Sequence, residues 1–220
     1  MLRHVNVLII DGHPGRERLT TALLDAYRAA LPPTATVTTI AVRDLTFDPT
    51  LHAGYGAEQP WEPDVARVAR ELDACDHVCF GFPMWWGAEP APLLALLERV
   101  LVPGFAFRYR TTSVFWEKRL RGRSADLIVT MDSPPLFLRL VYGDPIGRRW
   151  RAQVLGFVGI GPVRVLRLGP TRRGGAARNA TSWFARVAAA ARSLPPPRRG
   201  KRRALDDRIP FDEAVAERRS

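Results

Sequence analysis

An α/β domain built on a parallel sheet is the fold class this sequence predicts, and three features carry that expectation. Short apolar runs recur along the chain with stretches of helical periodicity between them, the alternation of strand–helix–strand units. The runs at 5–10 (VNVLII) and 77–82 (HVCFGF) are apolar almost throughout, as strands covered on both faces must be. Several of the runs end in clusters of Gly, Pro, Asp or Ser, so that turns of distinctive composition stand just past strand ends. Strands alternating with helices in this way imply a three-layer sandwich, a five-stranded parallel sheet joined by right-handed crossovers.

Taken in order, the first strand, 5–10, ends at Asp11-Gly12-His13-Pro14-Gly15. Residues 19–31 carry apolar side chains at helical spacing, and Pro32-Pro33 stop that helix. Residues 36–42 are rich in β-branched side chains and read as the second strand. The stretch 44–63 is too long for a bare connection and, with its Pro, Gly, Tyr and Trp, is expected to form a binding rim. A helix over 63–73 leads to the third strand at 77–82. In 90–101 the proline stands where a missing N–H does no harm and leucines recur at helical spacing, which predicts a helix. Residues 103–123 read as irregular. The fourth strand, 125–131, is closed by Asp132-Ser133-Pro134-Pro135. Residues 136–158 mix apolar side chains with Arg and read as partly helical, broken at Gly143 and Pro145. A fifth strand at 163–168 and an amphipathic helix at 176–193 complete a domain expected over 1–193. The remainder, 194–220, opens PPPRRGKRR and then mixes charges with few large apolar groups, the composition of a disordered tail. Its Arg198, Arg199, Lys201, Arg202 and Arg203 offer peripheral contact with an anionic surface as the alternative reading.

Composition sets further bounds. At 220 residues and 46% hydrophobic, the chain makes one soluble domain with a sizeable core. No apolar run is long enough to span a membrane. The first apolar run lacks a small-residue cleavage site and reads as a core strand rather than a signal peptide. Cys75 and Cys79 have no His/Cys cluster beside them to complete a metal site, and read as buried thiols in a reducing cytoplasm, with no metal. The net charge is +11, unevenly spread: 1–107 hold 8 Lys and Arg against 13 Asp and Glu, 108–203 hold 22 against 4. Such asymmetry can mark a polyanion partner. However, 31 of the 33 basic residues are Arg, as a GC-rich coding bias produces, and a nucleic-acid partner is not expected.

Three turns at strand ends carry the candidate chemistry. The first, His13 to Thr20, leads into a helix whose free N-terminal amides and positive dipole end suit a phosphate, with His13, Arg18 and Thr20 as further donors. It has neither GxGxxG nor a Walker lysine, so neither a dinucleotide-type Rossmann site nor an NTPase is indicated. The second, Pro83-Met84-Trp85-Trp86-Gly87, offers a flat apolar wall suited to a planar heteroaromatic ring, or else a buried aromatic turn. The third, Thr130-Met131-Asp132-Ser133, presents backbone amides and two hydroxyls to a polar ring edge. In an open α/β sheet, ligands sit at the carboxyl ends of strands, where all three turns stand.

The order of motifs, HP after the first strand, then FPMWW-x-x-x-PA with a following ERV and GFAF, resembles the flavodoxin-like NAD(P)H:quinone oxidoreductases over residues 4–190. The resemblance implies a sheet in strand order 2-1-3-4-5, a bound flavin, and a homodimer with its active site at the subunit boundary. It implies that His13, Arg18, Leu19 and Thr20 hold the flavin phosphate and ribityl chain, that Pro83, Met84, Trp85 and Trp86 hold the isoalloxazine ring, and that Thr130, Met131, Asp132 and Ser133 meet its pyrimidine edge. Trp85, Trp86 and loop residues such as Tyr55 would cover the ring. The implied reaction is ping-pong transfer of hydride from NAD(P)H through the flavin to a quinone or another small acceptor, nitro and azo compounds included. FMN is expected, though these residues do not distinguish it from FAD, and the Arg-rich second half suits the 2′-phosphate of NADPH. Two departures stand out. Arg18 occupies a position that is Ser in many relatives, and the third turn lacks the Thr-Thr-Gly-Gly and downstream His of the quinone reductases, leaving Tyr142 as the candidate proton-relay residue. A flavodoxin-type electron carrier, or a flavin-bound accessory subunit docking on a membrane transporter, are the alternatives.

Overall fold

A computed structural model describes residues 4–57, 59–110 and 113–196. The chain begins with β1 (Val5–Asp11), α1 (Leu19–Ala29) and β2 (Ala35–Ala41), followed by α2 (Pro63–Ala74), β3 (His77–Pro83) and α3 (Ala91–Val100). Next come β4 (Phe107–Arg110), β5 (Ser113–Lys118) and β6 (Ser124–Thr130), then the short helices α4 (Pro135–Val141) and α5 (Pro145–Arg149). A π-helical turn (Trp150–Val154) leads to α6 (Leu155–Val158), β7 (Val163–Leu168) and α7 (Gly175–Arg192).

Five strands form one parallel sheet in the order β2-β1-β3-β6-β7. Counting only the strands of that sheet, this is the expected order 2-1-3-4-5. The two extra strands, β4 and β5, pair antiparallel as a separate hairpin inside the stretch expected to be irregular. Their segments, FRYR and SVFWEK, are short, half-exposed and interrupted by a register shift, so no clean period-2 pattern announces them.

β3 and β6 lie in the middle of the sheet and are buried at every position, apolar over Val78–Pro83 and Leu127–Val129, with their polar residues gathered mainly at the amino ends. Alternate residues feed two separate cores. Leu8, Ile10, Val78, Phe80 and Phe82 face α2, α3 and the buried Trp150, while Val7, Ile9, Cys79 and Ile128 face α1 and α7. Trp150 closes the first core with its ring centroid 4.9 Å from Phe80 and 5.0 Å from Phe82. The long 44–63 loop is tied to α3: Trp61 Nε1 donates to the Arg99 carbonyl at 2.9 Å, and the Arg99 guanidinium donates to Pro60 O at 3.0 Å and to Glu62 at 2.7 Å. The helical stretch after β6 breaks where expected, with Gly143 and Asp144 both at positive φ ahead of Pro145.

The amino ends of the central strands hold a buried polar network. The Tyr27 hydroxyl donates to Asp126 at 2.6 Å and lies 2.9 Å from His77 Nε2, whose Nδ1 is 2.8 Å from Ser124 Oγ. Arg164, on the neighbouring strand, donates to both Asp126 oxygens at 2.8 and 2.6 Å. Burial alone would raise the Asp126 carboxyl, but hydrogen bonds from His77, Arg164 and Tyr27 outweigh it and hold the pKa below the usual value. A carboxyl so depressed contributes stability that is complete above its unfolded pKa of about 3.9 and is lost as pH falls through the folded value. Asp126→Ala, which removes the carboxylate that Arg164 and the buried Tyr27 hydroxyl share, is expected to lower unfolding free energy by about 3 kcal/mol in urea titrations at neutral pH. It should also flatten the acid limb of the stability curve, and a loss under about 1 kcal/mol would show that the network does not hold the strand ends together.

Candidate functional site

The first turn is organised by Asp11, the last residue of β1. Its buried carboxylate accepts the His13 N–H at 3.0 Å, the Thr21 hydroxyl at 2.8 Å and Arg43 Nη1 at 2.7 Å. Arg43 also donates to the His13 carbonyl at 3.2 Å, so one guanidinium clamps both ends of the bend. The Gly15 N–H donates to His13 Nδ1 at 2.8 Å, which fixes His13 as the Nε2–H tautomer when neutral. Burial, then the nearby Arg18 and Arg43 cations, lower the His13 pKa against the opposing pull of Asp11. The bend closes with Glu17 at φ 52° and Arg18 extended at the N-cap of α1. Gly12 is required by space: a Cβ there would stand 2.5 Å from Leu93 Cδ2.

The start of α1 is bare. Arg18 gives no side-chain cap, the first turn holds no acid, and the first amides of a helix have no partner within it. The exposed Arg18 stands at this positive end, Leu19 is half-buried, and the buried Thr20 hydroxyl lies 3.1 Å from that of Thr130.

The second turn is a tight reversal in which Trp85 and Ala88 exchange backbone hydrogen bonds of 2.9 and 3.0 Å. Both central residues, Trp86 and Gly87, have positive φ, as such a turn demands. Glycine meets that demand freely; tryptophan does not, yet Trp86 is held there with a relative exposure of 104%. Trp85 is half-exposed and meets His13 edge-on at 5.8 Å, joining the first two turns. Pro83 is buried and Met84 half-buried, with the Met84 N–H donating to the Thr130 carbonyl at 2.8 Å. Behind the turn the buried Glu89 accepts Arg149 at 2.6 and 2.5 Å and Trp150 Nε1 at 3.0 Å.

In the third turn Thr130 is buried against Thr20, and Met131 is committed to the core, its N–H donating to Leu168 O at 2.9 Å. Asp132 is exposed, accepts a hydrogen bond from the Thr171 hydroxyl and pairs with Arg172 at 2.6 Å; Ser133 is half-buried. Tyr142 stands exposed at the end of α4, its ring edge-on to Phe137 at 5.6 Å. Tyr55 packs edge-on to Phe107 and lines a cleft of about 280 Å³ with Tyr109 and Phe157, on the α3 side of the sheet. Asp11, Arg43 and the Glu89–Arg149–Trp150 anchor were not singled out from sequence; only Asp11, lying within the turn cluster, carried a local signal.

Thus a bare helix N-terminus, a pair of tryptophans and a polar turn stand side by side at one edge of the sheet, an arrangement fit for a phosphate joined to a flat ring. A family model described as Flavodoxin-like fold matches residues 5–192. The chain belongs to this flavodoxin-like family. Among curated relatives, FMN-dependent NADH:quinone oxidoreductase 2 of Bradyrhizobium diazoefficiens is 33% identical over 49% of this chain and 57% of its own. A protein described as FMN-dependent NADH:quinone oxidoreductase, from Azotobacter vinelandii, is 28% identical over 77% of this chain and 89% of its own. NAD(P)H dehydrogenase [quinone] 1 of Rattus norvegicus is 47% identical over 22% of this chain, and the match spans only 18% of that protein. The chain therefore spans little more than half of the first of these relatives, and far less of the rat one. Among solved structures, Smu.1420 from Streptococcus mutans superposes with a TM-score of 0.72 at 26% identity, covering 85% of this chain and 98% of that one. For the flavodoxin-like edge described above, Trp86→Gly is expected to raise stability by about 1 kcal/mol, since it removes a bulky side chain from left-handed backbone. A thermal melt checks this, and an unchanged or lower Tm would show that Trp86 is not strained.

Proposed function

We propose that the protein is a flavin-dependent NAD(P)H oxidoreductase with FMN as its cofactor, reducing quinones or similar small acceptors. The observation that carries this reading is the meeting of a bare helix N-terminus with a strained, solvent-facing tryptophan turn at the carboxyl edge of a parallel sheet. FMN fits the donors present. Its phosphate would take the α1 amides with His13, Arg18, Leu19 and Thr20 around it, and no acid in the first turn opposes it. Beside this turn, buried Arg43 Nε has no hydrogen-bond partner among the described residues, a further unspent donor. Pro83, Met84, Trp85 and Trp86 would form the ring wall, with Thr130, Met131, Asp132 and Ser133 at the pyrimidine edge. Met131 serves there by shape, since its N–H is already bonded.

FMN, when bound, would supply two-electron redox chemistry between NAD(P)H and a small acceptor, in ping-pong order. The chain supplies position and electrostatics. Trp86 offers an apolar face that keeps water from the reacting ring. Arg172 offsets the Asp132 carboxylate, so negative charge building near the third turn is not opposed. Tyr142 presents a phenol able to hold a proton for the acceptor. The relatives' names favour NADH and the surface arginines favour NADPH.

The same proposal takes the two cores as the seams of a three-layer sandwich, residues 1–193 as the folded domain, and 194–220, mostly outside the described residues, as a tail. It takes the protein to be cytoplasmic and a homodimer, for which the exposed Tyr109, Val114 and Phe115 of the hairpin offer an apolar surface. Among the described residues no helix is long and apolar enough to cross a membrane.

The deciding experiment is a visible spectrum of the purified protein, followed anaerobically on adding NADH or NADPH. A flavin band that bleaches supports the proposal; no flavin after reconstitution with FMN and FAD sinks it. Trp86→Gly should weaken FMN binding by about tenfold in fluorescence titration, opposite in sign to its effect on stability. Tyr142→Phe should leave bleaching intact and slow reoxidation by quinone about a hundredfold. An unchanged reoxidation rate would remove Tyr142 from the mechanism.

A further inference from the structure

We infer that Arg43 is a positioning residue that makes the first turn selective for a phosphate ester, by cancelling the buried Asp11 carboxylate beneath it. The inference deepens the proposed FMN reading and rests on it. Two anions compete for the start of α1. The hydroxyl of Thr21, in the first turn of that helix, donates to Asp11 Oδ2 at 2.8 Å, and Asp11 is only 3% exposed. A phosphate on the α1 amides would therefore meet a carboxylate already lying against the same turn. Left alone, that carboxylate would repel the phosphate and occupy the favourable end of the helix dipole.

Arg43 removes the conflict, and strand pairing sets it in place. Asp11 ends β1 opposite Ala41, the last residue of β2, and the chain then closes a single 3-10 turn, Val42–Asp44. From that turn Arg43 Nη1 reaches the same Asp11 Oδ2 at 2.7 Å and the His13 carbonyl at 3.2 Å. Its side chain is 14% exposed, so water and salt screen the pair little. The other acids nearby are dealt with separately: Asp44 pairs with Arg16, and Glu17 is exposed to solvent, where screening is strong. Inside the bend stand the donors. A Cβ at Gly15 would lie 2.9 Å from Arg18 Nε and 3.3 Å from His13 Cε1, so a guanidinium and an imidazole flank one glycine. These groups and the α1 amides favour a phosphate only while Arg43 offsets Asp11. A flavin that carries no phosphate does not feel this balance.

The test compares FMN with riboflavin, which share the ring and ribityl chain and differ by the phosphate alone. Flavin fluorescence titration of the full-length protein gives both dissociation constants, and melting curves establish that each variant folds. Arg43→Gln is expected to weaken FMN about tenfold and leave riboflavin unchanged. Asp11→Asn keeps the shape of the side chain and releases the Arg43 cation, so FMN should tighten by about the same factor. The two substitutions together should return the FMN-to-riboflavin ratio to within about threefold of the parent value. A merely structural role for Arg43 predicts equal weakening of both flavins by Arg43→Gln, and that result would overturn the inference. So would an unchanged ratio in Asp11→Asn, a variant that decides the matter even where Arg43→Gln does not fold. Failure of the double variant to recover the ratio would overturn it as well, since Arg43 would then act otherwise than through Asp11. Parent protein that binds neither flavin would sink the flavin reading and this inference together. Parent protein that binds FMN, with variants that do not separate FMN from riboflavin, sinks this inference alone.

Discussion

Strands that run parallel have all their carboxyl ends on one edge, and each return to the next strand must cross a face of the sheet. Everything the site can do depends on that constraint. β1, β3 and β6 are immediate neighbours, about 4.8 Å apart in an ordinary sheet, so the turns that follow them emerge side by side. Gly12 N–H then reaches Gly81 O at 2.8 Å, Met84 N–H reaches Thr130 O at 2.8 Å, and the hydroxyls of Thr20 and Thr130 meet at 3.1 Å. Parts of the chain far apart in sequence become one surface through strand order alone.

Within that surface, two kinds of energy are set against each other. Burying the Asp11 carboxylate is costly unless it is paired and hydrogen-bonded, and three donors converge on it. The result is a first turn held in shape by the protein's own groups. Trp86 represents the reverse case, a bulky residue in left-handed backbone whose side chain faces solvent. Strain of this sort persists where the surrounding structure over-determines it, and it gathers at ligand sites. The paired hydrogen bonds of Trp85 and Ala88, with Glu89 anchored to Arg149 and Trp150 just behind, provide that constraint.

The sheet and the turns were legible because their signals are local. A doubly covered strand must be apolar along its length, as in VNVLII and HVCFGF, and a turn must carry Gly or Pro where the chain bends. The hairpin of β4 and β5 was not legible, because its exposed strands have no face that must be apolar. Arg43 could not be read as a clamp, since its partner Asp11 lies 32 positions away and nothing near Arg43 marks the pairing. The same holds for Glu89 and Arg149, 60 positions apart, and for Tyr27, His77 and Asp126, which only strand register brings together. The turns at the strand ends were thus readable, while the buried charges that fix their positions were not.

Those buried charges divide between the two edges of the sheet in a way that bears on function. At the amino edge, Asp126 pairs with Arg164 across β6 and β7, and His77 stands opposite Ser124 across β3 and β6. Each link ties strands to their neighbours through side chains as well as through backbone. At the carboxyl edge the backbone ladder gives out, and the turns bend through positive φ at Glu17 and Trp86. An edge locked by a satisfied polar network can support an opposite edge that is strained and open to solvent, because the strands between them transmit position with little give. The network at one end thus helps hold in register the strands whose turns form the candidate site at the other, although none of its residues stands at that edge.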